Sequence, residues 1–142
     1  MTNHNLTMFA QKILDKRENH LCSISLKEES KTFLTGLIEF LFPHFSNETY
    51  YTTSDVLARL QLLERNLVQL LNIILESKEK SSNQVAQEFF SQIPETHDLL
   101  WADATTIFDG DPAAESIDEV ILAYPGFIAI TIYRISNLLY KL

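Results

Sequence analysis

The sequence predicts an all-α fold: one domain over residues 1–142, a bundle of about six to eight helices with a long central helix at about residues 53–77. With only 3 Gly and 4 Pro among 142 residues, the chain has few turns, and long helices fit that composition better than many short strands. Hydrophobic residues make up 46% of the chain, which is typical of a globular protein and argues against disorder. A chain of this length can bury a real core within one domain.

Two helices are predicted before the central one, at residues 5–19 and 25–42. In the first, Leu6, Phe9 and Ile13 form an apolar stripe, with basic residues on the opposite side. The second has the same apolar spacing and ends at the following proline, because the residue before a proline disfavours helical geometry.

The central helix is predicted to begin at a cap formed by Thr53 or Ser54 and to run to about Ser77. Its apolar residues repeat in steps of four and three, and further leucines and isoleucines widen this seam. Such a helix is expected to contact two neighbours or another subunit, although the core of this chain alone is an equal alternative. The seam consists of Val56, Leu60, Leu63, Leu67, Leu70 and Ile74.

Shorter helices are predicted after the central one. A polar linker at residues 78–83 leads to a helix at 85–93, which is expected to end near Pro94, and then to a helix at 95–108. Asp109-Gly110-Asp111-Pro112 follows as a turn, since glycine permits unusual backbone angles and proline excludes helix just before it.

Residues 109–142 hold this turn between helices. Ser116 stands three residues before Glu119, the spacing of a capping box, and predicts a short helix at residues 117–123. Pro125 and Gly126 break that helix. The segment that follows, 127–142, reads locally as a strand because it is rich in β-branched residues, but its apolar residues also fit a helix.

The charge of the chain is acidic and unevenly distributed. The net charge is −8, nine acids fall between Glu88 and Glu119, and residues 81–133 contain no Lys or Arg. Such a surface repels nucleic acid and disfavours an anionic membrane surface. It is either a solvated face or a site for an electropositive partner or an ammonium-bearing substrate.

Cysteine content and hydropathy predict a soluble cytoplasmic protein. The single cysteine, Cys22, excludes an internal disulfide framework and fits a reducing compartment, where it is expected to be a buried or idle thiol. No basic region followed by an apolar run marks a signal peptide at the start. The apolar run 124–132 is shorter than the about 20 residues that span a bilayer.

Asp111 is the strongest candidate for a binding residue. A carboxylate can hold an ammonium group by a charge-assisted hydrogen bond, whereas the alternative is that Asp111 only shapes the turn. A calcium loop is excluded, because Ala114 and Val120 stand where its glycine and bidentate glutamate belong, and no metal is expected. Asp103 is a weaker candidate, more typical of a helix surface or cap.

Other ionisable residues show no pattern of a catalytic site. Arg134 lies in an apolar run and is expected to pair with an acid such as Asp118 or Glu119. The four histidines are scattered, and no Cys or acidic residue stands at metal-ligand spacing from any of them. None is therefore predicted to bind zinc or to act in catalysis. They are His4, His20, His44 and His97.

The segment 111–135 resembles the part of bacterial serine O-acetyltransferases that joins their helical N-terminal domain to their catalytic β-helix. The residues in common are Asp111, Pro112, Ala113, Ala114, Ser116, Asp118, Glu119, Tyr124, Pro125, Gly126, Ala129, Ile130, Tyr133, Arg134 and Ile135. Asp103, eight residues before Asp111, matches a spacing of the family. Asn137 departs from it, since the family usually has histidine there. The resemblance favours helix over strand for residues 127–142.

The resemblance implies a function. The family transfers the acetyl group of acetyl-CoA, its co-substrate, to the hydroxyl of L-serine in cysteine biosynthesis. Its aspartate at the position of Asp111 contacts the serine amino group, and its helical domain joins trimers into a hexamer. The general-base histidine, the β-helix that binds coenzyme A and the tail that engages O-acetylserine sulfhydrylase lie beyond Leu142. This chain is therefore expected to be inactive alone and to bind no cofactor. The alternative is a freestanding helical interaction module without enzymatic role.

Overall fold

The computed structural model describes residues 2–20, 24–75 and 79–142, and this part of the chain forms helices without a β-strand. The all-α prediction is therefore confirmed for the described residues. Six α-helices and one short 3₁₀ helix at Pro43–Phe45 make up these ranges: α1 Thr2–Asn19, α2 Ile24–Leu41, α3 Thr53–Ile74, α4 Ser82–Gly110, α5 Ile117–Ala123 and α6 Pro125–Lys141. Cys22 lies outside the described residues.

The long helix α3 begins one residue earlier than either predicted cap allows. The cap is Thr52, whose hydroxyl accepts a hydrogen bond from the Asp55 N–H at 3.2 Å. The Asp55 carboxylate accepts in return from the Thr52 N–H at 2.9 Å, which completes a capping box. The helix packs between α2 and α4 with Leu63 and Leu67 fully buried, whereas Leu57, which widens the seam, is 51% exposed.

The predicted break at Pro94 is wrong, because α4 continues through this proline as one helix of 29 residues. A proline inside a helix costs about 3 kcal/mol, since it removes one hydrogen bond and crowds the preceding turn. Burial of apolar side chains on both sides offsets that cost, at about 1.5–3 kcal/mol for each large residue. Phe89 and Ile93 are buried before the proline and Leu100 after it, while Pro94 itself faces solvent.

The core joins α2, α4 and α6 around the ring of Phe42, which is fully buried. Phe127 of α6 meets this ring edge to face, with centroids 5.2 Å apart. Trp101 of α4 lies 5.8 Å away. Packing through Phe42 therefore fixes α6 against α4, the helix that leads into the acidic turn.

The helix α1 is exposed from His4 to Asn19, and the described part of the chain does not cover its apolar stripe. Leu6 and Phe9 are 64% and 60% exposed, and Ile13 is 41% exposed. Among the described residues, no single helix is long and apolar enough to cross a membrane. The helices α5 and α6 pass that test only as a pair, and they are bent by 76° relative to each other.

Candidate functional site

Asp111 lies at the end of α4, at the start of the turn that leads to α5. Its backbone is extended, which ends the helix, and its carbonyl accepts a hydrogen bond from the Ala114 N–H at 3.1 Å. Its side chain turns back, and Oδ1 accepts from the Ala113 N–H at 2.9 Å. Asp111 thus shapes the turn, as the simpler of its two interpretations predicts, while its carboxylate stays partly exposed.

The second carboxylate oxygen of Asp111 accepts a hydrogen bond from Tyr124. The phenol Oη lies 2.6 Å from Oδ2, across 13 positions of sequence. Hydrogen bonds from Tyr124 and then from the Ala113 N–H hold the pKa of Asp111 below its usual value. The same hydrogen bond, followed by burial, raises the pKa of Tyr124 to about 12. At neutral pH the pair is therefore an ionised carboxylate and a protonated phenol.

Asp103 and Arg134 form the ion pair that joins α4 to α6. Arg134 Nε lies 2.6 Å from Asp103 Oδ2, and Nη2 lies 2.9 Å from Oδ1. The hydrogen bond with Asp103 raises the pKa of Arg134 further above its ordinary value. An ion pair at Arg134 is confirmed, but its partner is Asp103 and not Asp118 or Glu119. Both carboxylate oxygens of Asp103 are therefore engaged in a contact between two helices.

The residues after the turn start α5. Ser116 caps the helix, and its hydroxyl accepts from the Glu119 N–H at 3.1 Å. The Glu119 carboxylate reaches back as predicted, but it accepts from the N–H of Glu115, one residue before the cap, at 2.7 Å. These bonds anchor the far end of the turn, so that both ends of the segment that carries Asp111 are fixed.

The segment around Asp111 is rich in acids, with Asp109, Glu115, Asp118 and Glu119 within eight residues of it. Within the described ranges, the salt bridges do not include Asp111, and the cation on the adjoining part of α6, Arg134, is neutralised by Asp103. His44, from the 3₁₀ helix, pairs with Asp118 at 2.7 Å. An ionised, partly exposed carboxylate that lacks a cation can hold an ammonium group by charge-assisted hydrogen bonds.

The remaining candidates occupy structural positions or lie apart. His97 accepts a hydrogen bond from Trp101 Nε1 at 2.9 Å. His4 on α1 and His20 just after it are exposed, and Asn137 is half-buried on α6. The described residues hold no group of three His, Cys, Asp or Glu side chains that could bind a metal ion.

Tyr124 belongs to the motif, but sequence reasoning gave it no contact with Asp111. Its contact with Asp111 depends on the length of α5 and on the direction in which the chain leaves that helix. The spacing of residues in the sequence gives neither this length nor this direction. The only available signal was that a tyrosine follows directly after a short capped helix and precedes a proline.

Comparisons with known proteins agree on one family. The family model described as "Serine acetyltransferase, N-terminal" matches residues 46–132. The plasmid serine acetyltransferase of Synechococcus elongatus is 29% identical, over 96% of this chain and 50% of the relative. The serine acetyltransferase of Bacillus subtilis is 54% identical over 43 residues, which are 30% of this chain and 20% of the relative.

A solved structure has the same helical arrangement. Serine acetyltransferase isoform 3 of Entamoeba histolytica, crystallised in complex with cysteine, is similar over 77% of this chain and 39% of that chain, with a TM-score of 0.62 and 28% identity. The chain spans half or less of the length of each of these relatives.

Proposed function

The chain belongs to the family of serine acetyltransferase N-terminal domains, and from this we propose that it is the helical assembly domain of a serine O-acetyltransferase. The reaction is transfer of an acetyl group from acetyl-CoA to the hydroxyl of L-serine, in cysteine biosynthesis in the cytoplasm. The role proposed for this chain at the active site is to hold the ammonium group of serine through Asp111. The observation that carries this role is the ionised, partly exposed Asp111 carboxylate in the turn between α4 and α5.

The hydrogen bonds of Asp111 leave room for such a ligand. Each carboxylate oxygen has two lone-pair directions, and one on each is used, by Ala113 and by Tyr124. The free directions can accept from an ammonium group, which carries three donors. The acidic surroundings favour a cationic group and disfavour a second anion.

The acetyl transfer itself needs a general base and a site for acetyl-CoA, and we do not assign either of them to these 142 residues. In the family a histidine acts as the general base on the serine hydroxyl, in the β-helix that binds acetyl-CoA. His4 and His20 are exposed, and His44 and His97 are paired within the helical bundle. We therefore expect the purified 142-residue chain to acetylate no serine, and detectable O-acetylserine would contradict this part of the proposal.

The role of Asp111 is tested in a fusion of these 142 residues to the part of the Bacillus subtilis enzyme that follows its matched segment. Asp111→Asn removes the charge and keeps the shape. We expect the KM for L-serine to rise about tenfold or more, because a charge-assisted hydrogen bond is lost, while the KM for acetyl-CoA changes little.

The matched control is Asp109→Asn, which removes the same charge two residues earlier from an exposed side chain. It should leave both KM values unchanged. Equal effects of Asp111→Asn on the two substrates, or equal effects of the two variants on serine, would refute the assignment.

A second proposed role, self-association, rests on apolar surface that the single chain leaves open. The stripe of Leu6, Phe9 and Ile13 on α1 is exposed. An apolar groove of about 830 Å³ also lies between the middle of α2, the C-terminal ends of α3 and α6, and the start of α4. Surfaces of this kind mark contacts with another protein chain, and a second copy fits the hexamer of the family. The same surfaces suit the alternative, a freestanding interaction module, which predicts no effect of Asp111 on serine. Contact with O-acetylserine sulfhydrylase would use the C-terminal tail of the family.

A further inference from the structure

We propose that Tyr124 is a positioning residue for serine binding, because its hydroxyl holds the carboxylate of Asp111 in the orientation that receives the ammonium group. This inference rests on the proposed function of Asp111. The role proposed for Tyr124 belongs to its hydroxyl and is separate from the packing of its ring.

The geometry makes Tyr124 a fixed donor. Its backbone ends α5 and begins α6: its N–H donates to the Val120 carbonyl at 3.2 Å, and its carbonyl accepts from the Phe127 N–H at 3.0 Å. Phe127 is fully buried, so this junction is tied to the core. The phenol therefore approaches Asp111 from an anchored backbone, and its short bond of 2.6 Å needs little further ordering.

The two donors on Asp111 act from different elements. The Ala113 N–H belongs to the turn and holds Oδ1, whereas Tyr124 lies beyond α5 and holds Oδ2. With only the turn bond, the carboxylate could rotate about its Cβ–Cγ bond with loss of one contact. With both bonds, the free lone pairs point in fixed directions, which lowers the entropy cost of binding a ligand.

The charges around the pair keep the phenol protonated. The hydrogen bond to Asp111 comes first, then burial, and then the charges of Asp111 and Glu119; together they disfavour a phenolate and raise the pKa of Tyr124 to about 12. Tyr124 therefore remains a donor throughout the physiological pH range. A donor to the carboxylate favours its ionised form, which is the form that attracts an ammonium group.

The first experiment follows the Asp111 carboxyl carbon by NMR during a pH titration of the 142-residue chain. In Tyr124→Phe the ring and its packing are kept and the donor is lost. We expect the Asp111 midpoint to move up toward the ordinary value of 3.8. Tyr140→Phe is the matched control, since Tyr140 is 90% exposed on α6, and it should leave the midpoint unchanged. An Asp111 midpoint unchanged by Tyr124→Phe would overturn the inference.

A second variant guards against a change in folding. Replacement of Tyr124 by a fluorinated tyrosine makes the phenol a stronger donor with nearly the same shape. The Asp111 midpoint should then move down, opposite to the effect of Tyr124→Phe. Shifts in the same direction for both variants would indicate a general disturbance of the turn and would contradict the inference.

The second experiment measures the KM for L-serine in the fused enzyme described above. Tyr124→Phe should raise it several-fold, less than Asp111→Asn does, with little change in the KM for acetyl-CoA. A rise with Asp111→Asn but none with Tyr124→Phe would refute the role of Tyr124 and leave the proposed function intact. No rise with Asp111→Asn would refute the proposed function, whatever the titration shows.

Discussion

Arg134 and Asp103 form a two-point ion pair across 31 positions of sequence, with Nε–Oδ2 and Nη2–Oδ1 distances of 2.6 and 2.9 Å. The pair joins α6 to α4 near the end that carries Asp111. Both side chains are partly buried, with 32% and 21% exposure, so solvent screens the interaction less than at an open surface. The acid that resembles a site residue in sequence thus serves to hold two helices together.

Loss of one partner of this pair should destabilise the fold. We expect Arg134→Met to lower the free energy of unfolding by about 1.5–3 kcal/mol, because hydrogen bonds to a charged group are lost and Asp103 is left without its cation. Arg134→Lys should lose less, since it keeps the charge without the planar fork. Urea unfolding followed by circular dichroism measures both. The control is Arg65→Met, a change at an exposed arginine, and an equal loss there would contradict the prediction.

Replacement of Pro94 should stabilise α4. Pro94→Ala restores a backbone N–H inside the helix and removes the crowding of the preceding turn, for a gain of about 1–3 kcal/mol. Loss of the proline also makes the unfolded chain more flexible, which reduces the gain by up to about 1 kcal/mol. The midpoint of urea unfolding is the measurement. Pro112→Ala, in the turn, should give no gain, and a destabilised Pro94→Ala variant would show that the ring is part of the packing.

Phe42 should be among the most sensitive positions of the core. Phe42→Ala should cost about 3–5 kcal/mol, because it opens a cavity against Phe127 and Trp101. Thermal unfolding of the variant measures the loss. Tyr140→Ala also removes a ring, at a position that is 90% exposed, and should change stability by less than about 0.5 kcal/mol. Similar losses at the two positions would contradict the described core.

The cap of α3 should make stability depend on pH in acid. Hydrogen bonds from the N–H groups of Tyr51 and Thr52, and then from the Thr52 hydroxyl, hold the pKa of Asp55 below its ordinary value. A lowered pKa in the folded state contributes stability above the unfolded value of about 3.9, and this is lost as pH falls through the folded value. Asp55→Asn should therefore be less stable than the original protein at pH 7.

The difference in the free energy of unfolding between Asp55→Asn and the original protein should shrink steadily as the pH falls below about 4. Urea titrations at several pH values test this dependence. Asp109→Asn changes an exposed acid on α4 that is not part of this cap and should not reproduce the pattern. A difference for Asp55→Asn that is constant with pH would contradict the assigned cause.

Self-association should depend on the exposed stripe of α1. Phe9→Glu places a charge in the middle of this stripe, where the side chain is 60% exposed, so the fold should be kept. We expect the average mass in sedimentation equilibrium to fall toward that of one chain. Thr7→Glu, next to the stripe, is the charge control. An original protein that is monomeric at all concentrations would refute the proposed assembly role.

Prediction from sequence succeeded where a local signal decides the structure. The bounds of α5 follow from the Ser116 cap and from Pro125, both within a few residues of the helix. It failed at Pro94, where tertiary packing outweighs the local preference of proline. It gave the wrong partner for Arg134, because the choice among several acids depends on how α6 lies on α4. Asp111 was proposed as a site residue from its motif and stays a prediction, and its contact with Tyr124 requires the three-dimensional path of α5.

The corner between α5 and α6 carries a mechanical consequence. Tyr124 lies at the vertex of the 76° bend between α5 and α6, so a change of that angle reorients its phenol relative to Asp111. Hydrogen-bond strength falls steeply with distance and misalignment, so a small rotation of α6 translates into a weaker hold on Asp111. A change in the position of the C-terminal end of α6 is therefore expected to alter the hydrogen bond at the acidic turn.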